Sequence, residues 1–189
     1  TDAPDDTAPD DTDAAAPTTE ATSDTAGSEA PSDAFPVTIE HKYGETTIEE
    51  EPERVVAVGF TDQDTLLALG VVPVGIRDWY GDQPFATWPW AIDLLGDAEP
   101  TVLSSSEPDF EQIAALRPDL IVGLSSGMTA EQYELASQIA PTLAQSGDFI
   151  DFGMPWQDGT LMIGQALGKA EEAQQLVDDV EAQLADVAA

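Results

Sequence analysis

Three short apolar runs decide most of what this chain can become. They are Arg54-Val55-Val56-Ala57-Val58-Gly59, Val71-Val72-Pro73-Val74-Gly75-Ile76 and Asp119-Leu120-Ile121-Val122-Gly123. Each is too short for a buried helix and lacks the polar alternation of a half-exposed strand, so each suits a strand covered on both faces of a parallel sheet. Between them the pattern turns helical. Thr61 or Asp62 is placed to cap a helix carrying Leu66, Leu67 and Leu69, which Gly70 stops. A brief strand at Thr101-Val102-Leu103 precedes a helix from Phe110 to Leu116. Thr129 caps a helix from Ala130 to Ile139, and Pro141-Thr142-Leu143-Ala144 supplies a last short strand. From Trp156 the pattern is helical to the end, with a break at Gly168. Such alternation predicts a doubly wound parallel α/β sheet. Ahead of it, Val37–His41 and Thr46–Glu49 alternate in period two around a turn at residues 42–45, the pattern of an N-terminal β-hairpin.

Charge divides the chain. Of 38 acidic side chains, ten fall in the first 34 residues together with none of the 5 basic ones, leaving 28 acids and 5 bases for residues 35–189. Residues 1–34 are built from Thr, Asp, Ala, Pro and Ser, bury too little apolar surface to offset ordering entropy, and are expected to form a disordered, self-repelling spacer. Residues 35–168 then read as one α/β lobe and residues 169–189 as a long helix. A formal net charge of −33 excludes unassisted nucleic-acid binding, which needs clustered Lys and Arg, and disfavours an electrostatic hold on anionic lipid. The absence of cysteine removes disulfides, thiolate catalysis and Cys-ligated metal, and the single histidine, His41, removes a multi-His site. A polar spacer that begins abruptly suggests a surface protein tethered by lipid upstream of Thr1.

In open α/β sheets, ligands sit outside the carboxyl ends of the strands. Those positions hold Phe60-Thr61-Asp62, Arg77-Asp78-Trp79-Tyr80, Ser104-Ser105-Ser106, Ser125-Ser126-Gly127-Met128 and the segment from Phe149 to Trp156. All four tryptophans (79, 88, 90 and 156) fall in these connections, so a shared aromatic wall is expected rather than four separate core caps. Enzyme signatures are missing. The turn after the first strand lacks the glycines of a dinucleotide fingerprint, and neither a phosphate-binding loop nor a nucleophile elbow occurs. Asp62 and Asp64, at a helix start, are expected to serve the helix dipole.

The segments Pro52-Glu53-Arg54-Val55-Val56-Ala57, Leu67-Ala68-Leu69-Gly70-Val71-Val72-Pro73-Val74-Gly75 and Phe110-Glu111-Gln112-Ile113-Ala114-Ala115-Leu116-Arg117-Pro118-Asp119-Leu120-Ile121-Val122 resemble the iron–siderophore substrate-binding proteins of ABC importers. Trp79 to Trp90 looks like an actinobacterial-type branch of that family. The resemblance spans about residues 36–189. It implies two α/β lobes joined by one long helix with the ligand between them, so that this chain would be the N-terminal lobe and the start of the connecting helix. It further implies a cleft floor of Arg77, Trp79, Tyr80, Trp88, Trp90, Ser126, Met128 and Trp156. Glu111 matches the acidic residue with which such lobes engage an Arg pocket on the permease.

The implied partners are a ferric siderophore and ABC permease subunits, met outside the cytoplasm by a protein that is monomeric when complete. No cofactor is implied, ferric iron arriving only within the bound ligand. Of the basic residues, only Arg77 falls at an expected cleft position. One Arg at ~4 Å contributes about 4 kcal/mol toward an anion at an effective dielectric of ~20. An aromatic floor with a single Arg therefore suits a neutral ferric hydroxamate better than a triply anionic catecholate. A cobalamin or haem receptor of the same fold is the alternative, with Tyr80 as the axial group offered to haem. From another class, the chain would be a small α/β enzyme or regulatory module dimerising through its last helix.

Overall fold

The computed structural model describes residues 34–188, so the expected spacer, apart from Ala34, lies outside the described residues. Strands β1 (Val37–His41) and β2 (Gly44–Ile48) pair antiparallel with Val37 opposite Ile48. The hairpin turn is tighter than expected. Only Lys42 and Tyr43 separate the strands, and β2 begins at Gly44 with φ +123°.

Five parallel strands form the main sheet. They are β3 (Val55–Ala57), β4 (Gly75–Arg77), β5 (Thr101–Leu103), β6 (Leu120–Gly123) and β7 (Thr142–Ala144), in the order β5-β4-β3-β6-β7. The chain starts at the centre, winds outward through β4 and β5, then crosses back to β6 and β7. The order therefore reverses beside β3, and the switch point lies between the carboxyl ends of β3 and β6.

Successive residues of the central strands serve opposite faces, and both are covered. Val55, Ala57, Leu120 and Val122 face a core shared with α1 (Asp62–Ala68), α4 (Trp156–Ala166), α5 (Ala170–Ala188) and the hairpin, through Leu66, Ile163, Ala173 and Ile39. Val56, Val58 and Ile121 face a second core with α2 (Phe110–Ala115) and α3 (Ala130–Ser137), through Ile113 and Ala136. This is why the strands read as unbroken apolar runs. The expected strand at Val71–Ile76 is displaced by a few residues, pairing only from Gly75, because the chain at Val71 is still leaving α1 with its N–H on the Leu66 carbonyl.

The helix ends follow their sequence signals in part. Thr129 and Gln132 form a reciprocal capping box at α3, and Gly168, at φ +68°, separates α4 from α5. Thr61 precedes α1 without capping it, and its hydroxyl meets Ser125 Oγ at 3.0 Å instead. Along α5, Ala173 and Val177 are buried, whereas Leu184 and Val187 are exposed, Val187 at 90%.

Candidate functional site

The connections at the carboxyl ends of the strands enclose an open cleft of about 690 Å³. Phe60 and Thr61 reach it from β3, Trp79 from β4, Leu124 and Ser125 from β6, and Phe152 to Trp156 from the segment after β7. The cleft thus lies at the switch point, where two connections leaving in opposite directions open a crevice.

Its wall is a run of aromatic contacts. Phe152 stacks near Phe60, with centroids 6.2 Å apart, and Phe60 lies 5.9 Å from Trp79. Trp79 meets Tyr80 edge-on at 4.5 Å, Tyr80 meets Trp88 at 4.8 Å, and Trp88 stacks on Trp90 at 5.0 Å and 6°. Each pair adds about 0.5–1.5 kcal/mol beyond area burial, which lets a loop of this length hold one shape. Trp90 is 68% exposed, yet its indole Nε1 donates to Asp64 Oδ2 at 3.1 Å, tying the far end of the run back to α1. Phe152 is held in the left-handed backbone region at φ +62°, its ring against Gly127. A Cβ on Gly127 would stand 2.7 Å from Phe152 Cζ, so only glycine admits the ring there.

Beneath the wall, Asp62 closes the switch point. Its Oδ2 accepts the Leu124 N–H at 2.9 Å, and its Oδ1 accepts the Ser125 N–H at 3.2 Å and the Ser125 hydroxyl at 2.6 Å. Burial pushes the Asp62 carboxyl up, while hydrogen bonds from Ser125, Leu124 and Gly59 hold it back. Gly59 permits this approach, since a Cβ there would lie 2.0 Å from Asp62 Oδ2. Asp62 is thus a clasp between β3 and β6 rather than a residue placed for the helix dipole alone. Asp64 differs: burial raises its carboxyl and the Trp90 N–H lowers it, while its buried Oδ1 has no hydrogen-bond partner among the described residues.

The expected site residues divide into two groups. Trp79 and Trp156 line the cleft, and Tyr80, Trp88 and Trp90 continue the wall from Trp79. Arg77, Ser126 and Met128 are not among the lining residues. Arg77 is 7% exposed and spends its guanidinium on backbone carbonyls, at 3.2 Å from Val58, 3.3 Å from Ser126, 3.2 Å from Ser105 and 2.8 Å from Ser106. The expectation of a cleft cation at Arg77 meets a guanidinium already engaged by four strand-end carbonyls. Ser126 Oγ donates to the Gly123 carbonyl and accepts the Met128 N–H, and the Met128 side chain, 4% exposed, packs in the core shared with α2 and α3. Glu111 lies apart from the cleft, exposed in the first turn of α2 behind the Asp109 cap. Phe60, Ser125 and Phe152 lie in strand-end segments that the sequence marks but fall outside the expected cleft floor, and Asp64, expected to serve the helix dipole, lines the cleft as well. For Phe60 and Phe152 the available signal was an aromatic side chain at a strand-end connection.

The match to known proteins follows the same part of the chain. The family model described as periplasmic binding protein matches residues 55–189. A putative ABC transporter substrate-binding lipoprotein, YhfQ of Bacillus subtilis, is 32% identical over 79% of this chain and 45% of its own length. The Fe(3+) dicitrate-binding periplasmic protein FecB of Escherichia coli is 32% identical over 76% of this chain and 46% of its own. Among solved structures, a periplasmic solute binding protein from Mycobacterium smegmatis superimposes with a TM-score of 0.74 at 47% identity, over 77% of this chain and 51% of that one. PiaA of Streptococcus pneumoniae, solved in complex with ferrichrome, gives 0.71 at 28% identity over 79% and 50%. The chain spans about half the length of the curated relatives it matches. These relatives are named for binding, and the family is one of transport components rather than enzymes. This chain belongs to the periplasmic binding protein family.

Proposed function

We propose that this chain forms one half of an extracytoplasmic receptor that captures a ferric siderophore, of hydroxamate type, and delivers it to an ABC permease. The observation that carries the reading is the aromatic crevice at the switch point, with no Lys or Arg among the described residues that line it. Names of the relatives support it: they include a probable siderophore-binding lipoprotein and a ferric-anguibactin-binding protein.

Ligand charge follows from the lining. A triply anionic catecholate would meet Asp62 and Asp64 at close range with no free cation from this half of the site. At an effective dielectric of ~20, one like charge at ~6 Å costs about 3 kcal/mol. A ferric trihydroxamate carries no such penalty, and its carbon framework can lie against the tryptophan faces.

The remaining roles belong to the same reading. Helix α5, whose outer apolar residues are exposed, begins the connection to a second lobe. Glu111 serves as the docking carboxylate for the permease, being exposed and carried on a rigid element. A lipid tether upstream of Thr1 would hold a monomeric receptor at the membrane. Three relatives are named as lipoproteins, and among the described residues no helix is long and apolar enough to cross a bilayer.

Quenching of tryptophan fluorescence by a panel of ferric siderophores tests the proposal. The expected result is tightest binding to a trihydroxamate. Tightest binding to a tris-catecholate would overturn the hydroxamate assignment, and failure of every ferric complex to bind would overturn the receptor reading.

A further inference from the structure

We infer that the cleft selects ferric complexes carrying net positive charge, with Asp64 as the residue that discriminates. This rests on the reading of the crevice as a siderophore site. Two carboxylates are the only ionisable groups among the described lining residues, Asp62 and Asp64. They are not equivalent. Both oxygens of Asp62 are consumed by Leu124 and Ser125, so that carboxylate belongs to the scaffold. Asp64 has one oxygen on the Trp90 indole, while its other is buried and unpaired among the described residues. A part-buried carboxylate thus stands among the residues that line an aromatic cavity, with no Lys or Arg among them.

A bound complex removes part of the water that still screens Asp64. Its field at the ligand then strengthens, because screening inside a covered cleft is weaker than in water. A neutral ligand leaves the carboxylate desolvated without compensation, and an anionic one adds repulsion. A ligand bearing an ammonium arm compensates the charge directly. The rings supply a second attraction of the same sign. Trp79 and Trp156 line the cleft and are each more than 40% exposed, so their indoles are open to a cation held beside Asp64. Arg77 keeps its charge beneath the floor, 4.2 Å from the centre of the Phe60 ring, but its guanidinium faces four backbone carbonyls and lies outside the lining. It opposes Asp64 only from behind that ring, whereas Asp64 meets the ligand directly.

A matched pair of ligands isolates the charge. One is a linear ferric trihydroxamate with a free terminal ammonium; the other is the same complex N-acetylated. Titration of the protein by tryptophan quenching at physiological salt is expected to give about tenfold tighter binding of the ammonium form. In Asp64→Asn the ratio should fall to about one, and in Asp64→Glu, which keeps the charge, it should persist. Equal or tighter binding of the acetylated complex to the unmodified protein would overturn the inference, as would an undiminished ratio in Asp64→Asn. Binding of both complexes without discrimination defeats this inference alone. Binding of neither defeats the hydroxamate reading and the inference with it.

Discussion

The Arg77 guanidinium carbon lies 4.2 Å from the centre of the Phe60 ring, joining a buried cation to the aromatic residue at the switch point. Four strand-end carbonyls surround the same guanidinium, from Val58, Ser105, Ser106 and Ser126. Arg77 therefore gathers the connections after β3, β5 and β6 beneath the cleft, and burial lowers its basicity without a carboxylate to restore it. Replacing it with Met should cost about 1–3 kcal/mol, because the buried Val58 carbonyl and the part-buried Ser126 carbonyl lose their donor while those of the exposed Ser105 and Ser106 can turn to water. Arg77→Lys should recover only part, since an ammonium cannot span four acceptors. Urea denaturation checks this; a loss below about 1 kcal/mol would show that the carbonyls need no common donor.

Gly59 and Asp62 make a second, tighter test of the scaffold. Gly59→Ala places a Cβ 2.0 Å from Asp62 Oδ2, so the carboxylate must leave Leu124 and Ser125 or the turn must shift. The expected loss exceeds about 2 kcal/mol. Ser125→Ala removes the hydroxyl that donates to Asp62 and meets the Thr61 N–H and hydroxyl but keeps both backbone N–H groups on Asp62, and should cost about 1–2 kcal/mol. Thermal or urea melts rank the two, and a Gly59→Ala protein as stable as the parent would refute the clasp.

How much of this was legible in the sequence depends on the kind of interaction. The five strands and both cores announce themselves because parallel strands buried on both faces must be apolar throughout, as Val55 to Val58 and Leu120 to Val122 are. Gly168 and the Thr129–Gln132 box mark helix ends locally, so they too are readable. The aromatic wall was readable as a set, since four tryptophans at strand ends have few other uses. What was not readable is direction. Arg77 and Met128 occupy strand-end positions, but one is drawn under Phe60 by carbonyls from three connections and the other into the core. Asp62 likewise bonds to residues 62 and 63 positions further along the chain, a pairing that no local pattern encodes.

His41 offers a clean pH test, being the single histidine of the chain. Its Nδ1 accepts the Tyr43 N–H at 3.2 Å, which places the neutral ring's proton on Nε2, facing Thr46 Oγ1 at 2.9 Å. A second proton would point at the Tyr43 N–H, and burial already lowers the pKa below 6.5. The folded state therefore binds fewer protons than the unfolded chain. His41's contribution to stability is complete above about pH 6.5 and is lost as pH falls through the depressed folded value. The stability difference between the parent and His41→Gln should accordingly shrink on acidification below pH 6.5. An imidazole titrating by NMR at or above 6.5 would contradict this.

Glu111→Arg separates docking from capture. Glu111 is exposed in the first turn of α2 and is not among the residues that line the cleft. In cells that depend on the ferric siderophore, uptake should fall to background while ligand affinity stays within about twofold of the parent. Under the proposed docking role, the reversal would set a cation against a cationic pocket on the permease. Weakened ligand binding would refute the docking role.

The central claim is that the aromatic crevice between β3 and β6 holds the ferric ligand. Calorimetric titration of a ferric trihydroxamate into the parent and into a Trp79→Ala, Phe152→Ala double variant tests it most directly. Both side chains line the cleft and are more than 40% exposed, so the truncations remove contact area without opening the core. The account predicts about 100-fold weaker binding in the double variant, with a melting temperature lowered by several degrees, on the order of what three lost ring contacts cost, and the fold retained. Unchanged affinity in a variant that folds normally would place the ligand elsewhere.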